Sequence, residues 1–353
     1  MEKKGRLAAW TYAHFAVDFS CFYVLHAGLK NFLDGDLETL AVGFLTYNVI
    51  AFGLQSAIGR ICDERDTWRR ASGFAGSIMV CMAAVIAALC SGAAVWAAMI
   101  VAALGNAFFH VGGGIDVLRR SGGKMTGSGV FVSSGAMGVA LGTLCGSAAV
   151  ALIIIISAAV LTGVIAWKET SWDCSRYVPF RIAGNGNFLV AIALLMTAVF
   201  IRSYAGAIMP VYWERTGWLV ILPAAASCMG KALGGVAGDR LGAARTGVIS
   251  LLISAPLICF GAENMILSLV GILMFNMTMP VTLCGLVSVM PQNPGFAFGL
   301  TTIALLAGSG ITYFWAIPPA LIMPVVAMLT LMAAVCIGLS VNNNRGKNDE
   351  KEI

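Results

Sequence analysis

The sequence predicts an all-α polytopic membrane protein of twelve transmembrane helices, arranged as two pseudo-symmetric six-helix bundles. Three observations carry this. Hydrophobic residues make up 59% of the 353 positions and charged ones 11%, with a mean hydropathy of +0.87, whereas soluble domains are roughly a quarter charged. The apolar runs reach about 20 residues, enough to cross a bilayer as a helix, and lack the period-two alternation of a membrane barrel. A short basic turn between apolar runs also occurs twice: GRICDERDTWRR around Asp63 and GGVAGDRLGAAR around Asp239, 176 positions later and half the chain apart.

Hydropathy and turn residues place the spans near 7–29, 37–59, 71–90, 93–113, 126–146 and 148–167 in the first half. The second half gives 187–210, 218–238, 246–261, 265–290, 295–314 and 317–341. Residues 1–167 thus form an N-terminal bundle and 187–341 a C-terminal one. The polar stretch 168–186 is the linker between them, and 342–353 is a polar tail.

The basic residues orient the chain. All 22 lysines and arginines except Lys30, Arg202, Arg215 and Lys231 fall at the N-terminus, at 60–70, 117–125, 168–186 and 239–245, or in the tail. With an even number of spans these regions share one side. The positive-inside rule makes that side cytoplasmic, so the expectation is a multi-pass cell inner (plasma) membrane protein with both termini in the cytoplasm. No small-residue cleavage site follows the basic start, which reads as an uncleaved first helix. The ten cysteines lie mostly in apolar runs without CxxC or His/Cys pairs at metal spacing. They read as small buried hydrophobes, and no metal or cofactor is expected. The +5 net charge follows from the loop placement and does not point to nucleic acid.

The repeat extends beyond the aspartates. Gly59 and Gly235 sit four residues before them, and Gln55 and Lys231 eight before. LGNAFFHV at 104–111 parallels MFNMTMPV at 274–281, which pairs Asn106 with Asn276. A parallel repeat of this kind puts a substrate site near the midplane, between two bundles that rock against each other.

The turn GGVAGDRLGAAR resembles the signature of the major facilitator superfamily, roughly G-x-x-x-D-R-x-G-x-x-R, between the second and third helices of each half. Gly235, Asp239, Arg240, Gly242 and Arg245 match it in the second copy. In the first, Gly59 and Asp63 match, while Glu64 and Asp66 stand where Arg and Gly are usual. The resemblance implies a cytoplasmic gate built on these residues, with each aspartate favoured by the dipole of a neighbouring helix. It also implies that spans 1, 4, 7 and 10 line the central cavity. Two further stretches, AHFAVDF at 13–19 and GNAFFHVGGG at 105–114, are similar to the fosmidomycin-resistance efflux branch, which tends to read FFHP where Val111 stands here.

Ionisable residues within a span are costly and usually face the bundle interior. His14 and Asp18 are four apart, on one face of span one. They read either as a proton-coupling pair or as a buried polar pair that fixes the span. Arg202, followed by Ser203 and Tyr204 near mid-depth of span seven, reads as an anchor for an anionic substrate, or as an ion pair to Asp18 across the halves. His110 reads as a substrate donor, a proton relay or a packing contact. Lys231 is placed with the gate acids, with snorkelling or substrate contact as alternatives. Asn106, Asn276 and Tyr204 complete the candidate site.

The resulting expectation is a secondary transporter, not an enzyme, that moves a small organic, possibly anionic, solute by alternating access in proton-coupled export. The alternative is proton-coupled uptake of an organic anion. An intramembrane enzyme using Ser133 or Ser134 with His110 is the remote one. Its expected partners are a small-molecule substrate, protons and membrane lipid, with the protein acting as a monomer.

Overall fold

The computed structural model describes residues 3–168, 178–180, 182, 187–213 and 215–341. Most of the expected linker and the whole tail 342–353 lie outside the described residues.

Twelve helical spans follow in order: α1 (Lys3–Tyr23, prolonged by a π turn over Val24–Lys30), α2 (Leu37–Glu64), α3 (Asp66–Leu89), α4 (Ala93–Arg120), α5 (Met125–Leu144) and α6 (Ala148–Lys168). The second half contains α7 (Phe188–Ala207), α8 (Gly217–Leu241), α9 (Ala243–Gly261), α10 (Met265–Val289), α11 (Pro294–Tyr313) and α12 (Pro319–Ser340). Eleven of them, all but α1, are long and apolar enough to cross a membrane. In α1 the charges of Lys3, Lys4, Arg6 and Asp18 dilute an otherwise apolar segment. Helix is the form such spans take because it satisfies every backbone group within the segment where lipid offers no partner.

Local chemistry sets where the spans begin. The Asp36 carboxylate accepts the Thr39 amide at 3.0 Å and caps α2. These bonds to Thr39 hold its carboxyl below the ordinary aspartate value. Asn187 and Asn264 cap α7 and α10 in the same way. Proline opens α11 and α12, where its missing N–H costs nothing.

Three spans carry features that the expected boundaries do not include: one extension and two internal breaks. α4 runs seven residues past the expected end at 113, because glycines 112–114 serve close packing and do not end the helix. Gly112 lies against the Gly73 backbone and Ser72, and Gly114 against the Phe298 ring. α10 breaks at Met277, one residue after Asn276. α2 breaks at Leu54, before the fully buried Gln55.

The halves meet through two repeat-related pairs, α5 against α8 and α2 against α11. Glycines allow the contact: a Cβ on Gly129 would lie 2.7 Å from the Lys231 carbonyl oxygen and 3.0 Å from the Gly235 Cα. A Cβ on Gly59 would overlap the Gly295 carbonyl. Small residues at such seams let backbones approach. Large apolar side chains such as Ile153, Trp167 and Phe260 face outward, as they would toward lipid.

Candidate functional site

In the N-terminal half, α1 and α4 bring four buried polar side chains together. His14 Nε2 lies 3.3 Å from Asp18 Oδ2, and His110 Nε2 lies 3.6 Å from Asp18 Oδ1. Asn106 Nδ2 donates to Asp18 Oδ1 at 3.0 Å. The two imidazoles meet edge to face, with their Nε2 atoms 2.9 Å apart. Each ring is held from behind by a backbone carbonyl: Nδ1 of His14 by Phe131 at 2.7 Å, and Nδ1 of His110 by Asn106 at 2.9 Å. Gly135 of α5 leaves the room this packing needs, since a Cβ there would strike Asp18 and His14. Linear spacing suggests no cluster of donor atoms, yet those of His14, Asp18 and His110 lie within 4.8 Å of one another.

In the C-terminal half a cavity of about 460 Å³ is lined by Arg202, Ser203, Lys231, Phe275 and Asn276, together with the exposed Arg215. It reaches Val211 and Pro223, at the end of the bundle away from the termini. Arg202 is 6% exposed. Its Nη2 donates to the Phe275 carbonyl at 3.4 Å, and its guanidinium sits 5.2 Å from the centre of the Phe275 ring. Its Nε and Nη1 have no partner. The ion pair to Asp18 is not formed, and among the described residues no carboxylate pairs with Arg202 or Lys231. The Asn276 amide donates to the Ile272 carbonyl at 2.9 Å, beside the break in α10.

Two placements differ from the sequence reading. Lys231 contributes its backbone to the seam between the halves, but its side chain lines the cavity with Arg202 and does not join the gate acids. Tyr204 is off the cavity wall, which on α7 is formed by Arg202, Ser203 and Gly206. Its backbone instead backs onto Gly308 of α11.

At the end carrying the termini, the repeat becomes a pair of crossed caps. Asp239 at the end of α8 accepts the Met125 and Thr126 amides at 2.7 and 2.9 Å and the Thr126 hydroxyl at 2.6 Å, so it caps α5 of the other half. Asp63 near the end of α2 accepts the Gly295 and Phe296 amides at 3.0 and 2.9 Å and caps α11. Each carboxylate thus meets the positive end of a helix dipole in the opposite bundle. Glu64, which replaces the usual arginine, pairs with Arg60 at 2.7 Å, and Arg119 lies 3.5 Å from Asp63. Arg240 and Arg245 are exposed beside these caps.

The sequence reading missed a second buried carboxylate, Asp116. It accepts Arg6 Nε and Nη2 at 2.7 and 2.9 Å, Trp10 Nε1 at 2.6 Å and Arg120 Nε at 2.8 Å. The signal was an acid in an apolar run two turns past His110, obscured by glycines taken as the end of the span.

No family model matches the chain, and no curated protein matches it. Solved structures do. The human organic anion transporter MFSD10 (TETRAN) matches with a TM-score of 0.65 at 13% identity, over 96% of this chain and 100% of that one. FucP, a major facilitator superfamily transporter in the outward conformation, matches with a TM-score of 0.57 at 11% identity, over 92% and 96%. With twelve helical spans in two halves that meet through α5–α8 and α2–α11, the chain has the fold of the major facilitator superfamily transporters.

Proposed function

We propose that the chain is a secondary active transporter that carries a small organic anion by alternating access, with protons as the coupling ion. One observation carries this reading: Arg202 is buried at the cavity, and among the described residues two of its guanidinium nitrogens have no partner and no carboxylate neutralises it. A cation in that position is expensive unless an anion comes to it. Lys231 in the same wall adds a second cation to the anion site. The fold neighbour described as an organic anion transporter supports the same class.

In this reading Asp18, His14, His110 and Asn106 form the proton site. Gly59, Asp63, Gly235, Asp239, Arg240 and Arg245 form the gate, shut on the side of the termini. The placement of basic residues makes that side cytoplasmic, so the cavity faces outward. The resemblance of spans one and four to the fosmidomycin-resistance branch speaks for export, and proton-coupled uptake is the other direction this fold permits.

The test is thermal stabilisation of the purified protein in detergent by benzoate, succinate and phenylphosphonate, repeated with Arg202→Ala. At least one anion should raise the melting temperature of the parent, and that gain should vanish in the variant. If none of the three acts on the parent, or if the variant responds equally, the anion reading fails.

A further inference from the structure

The hydrogen bonds of the histidine pair determine how many protons it holds. A carbonyl oxygen can only accept, so Nδ1 of His14 and Nδ1 of His110 both carry hydrogen. In neutral rings the two Nε2 atoms would then both be bare acceptors, and at 2.9 Å their lone pairs would repel. One additional proton between them makes an N–H···N bond of ordinary length. The arrangement therefore contains one imidazolium shared by two rings, balanced by the Asp18 carboxylate. The cluster is neutral when loaded and carries one negative charge when empty.

Among the described residues, the groups facing this cluster are few. α1 adds the Cys21 thiol, α2 the Tyr47 hydroxyl and α4 the Asn106 amide. α5 offers the Phe131 carbonyl and has no titratable side chain. From the other half comes Lys231 of α8, whose backbone packs against Gly129 of α5, two residues before the Phe131 carbonyl that holds His14, which brings its charge within electrostatic range of the cluster. Lys231 therefore borders both sites: it lines the anion cavity and sits on the seam with α5, the helix that backs the proton cluster.

Resting on the anion-carrier reading above, we propose that Lys231 couples the two sites so that proton and anion bind together, which makes the carrier a proton–anion symporter and, under an inward proton gradient, selects uptake over export. With the cluster empty, its negative charge offsets the lysine and the cavity attracts anions less. When a proton enters between His14 and His110 the cluster becomes neutral and the Lys231 charge is released to the cavity. A bound anion in turn removes the repulsion that Lys231 exerts on the incoming proton. By linkage the two effects are equal in size. Exchange of a proton against an anion would require the opposite sign.

The chain has three histidines, so ¹⁵N-histidine spectra of the full-length protein can resolve both members of the pair, with His26 as the internal control. His14 and His110 should titrate as a unit that takes up one proton. Lys231→Gln should raise the midpoint by roughly one pH unit, as expected for removing a nearby charge at intermediate dielectric, while Lys231→Arg should restore it. This measurement needs no ligand, and an unchanged midpoint in Lys231→Gln overturns the proposal. The second arm adds succinate, benzoate or phenylphosphonate to weakly buffered protein with a pH indicator. Proton uptake on binding is expected, and it should be lost in Lys231→Gln. If an anion binds but protons are released or do not move, symport is wrong and the anion-carrier reading survives. If no probe binds, that reading fails while the midpoint shift still decides the role of Lys231. A histidine titration altered by EDTA would give the site to a metal ion and sink the proposal.

Discussion

Asp239 and Thr126, from opposite halves of the molecule, are joined twice: the threonine amide donates to the carboxylate at 2.9 Å and its hydroxyl at 2.6 Å. The Met125 amide adds a third bond, so one side chain satisfies the start of α5. These bonds exist only while the halves are together at this end.

Asp239→Asn keeps the shape but removes the charge that the dipole of α5 favours. Hydrogen bonds to a charged acceptor contribute about 1.5–3 kcal/mol, so the closed arrangement should lose about 2 kcal/mol relative to the arrangement open on the side of the termini. Thr126→Val, which removes one bond, should cost about 1 kcal/mol. Spin-label distances across the α5–α8 contact report this directly. Equal distance distributions in Asp239→Asn and the parent would exclude the cap as a lock.

The glycine seam predicts a stronger version of the same shift. A Cβ on Gly129 would press on the backbone of Lys231 and Gly235, and backbone cannot move aside as a flexible side chain can. Gly129→Val should therefore favour the arrangement with this end open, while Gly146→Ala, with nothing within 4 Å of the new Cβ, should change nothing. Thiol labelling of a cysteine placed at Ser56, beside Gly299, should be faster in Gly129→Val. Labelling as slow as in the parent would mean that the seam does not set the state.

How much of this was legible in the sequence follows the kind of information each feature needs. The twelve spans and the two aspartates could be read because hydropathy and a repeated turn are local. His14 and Asp18 could be paired because four residues return to the same helix face. The contact of His14 with His110 could not be read, since they are 96 residues apart and meet only through helix packing. Which way Lys231 and Tyr204 turn could not be read for a related reason. Rise per residue gives depth in the membrane, but the direction a side chain takes around the helix depends on neighbours the sequence does not name.

Asp116 should prove the most sensitive acid in the N-terminal half. Its carboxylate collects two arginines and the Trp10 indole, and it is 7% exposed. Removing one member of a buried ion pair leaves the others uncompensated, typically at a cost of 3–5 kcal/mol. Asp116→Ala should therefore lower the thermal midpoint in detergent far more than Asp34→Ala in the exposed turn before α2. Comparable midpoints would show that water solvates the arginines.

Phe275→Leu separates the placement of Arg202 from its charge. The ring lies 5.2 Å below the guanidinium, and a cation held over an aromatic face gains about 0.5–2 kcal/mol. Leucine keeps the wall apolar but withdraws that attraction, and the Phe275 carbonyl contact at 3.4 Å is too long to orient the group alone. Arg202 should then sample more positions, and the anion identified by thermal stabilisation should bind about three- to tenfold more weakly. Because the charge remains, binding should be weakened and not abolished, as it should be in Arg202→Ala. Titration calorimetry on the two variants distinguishes the cases. Parent-like affinity in Phe275→Leu would mean that the guanidinium is positioned by the anion itself and not by the ring beneath it.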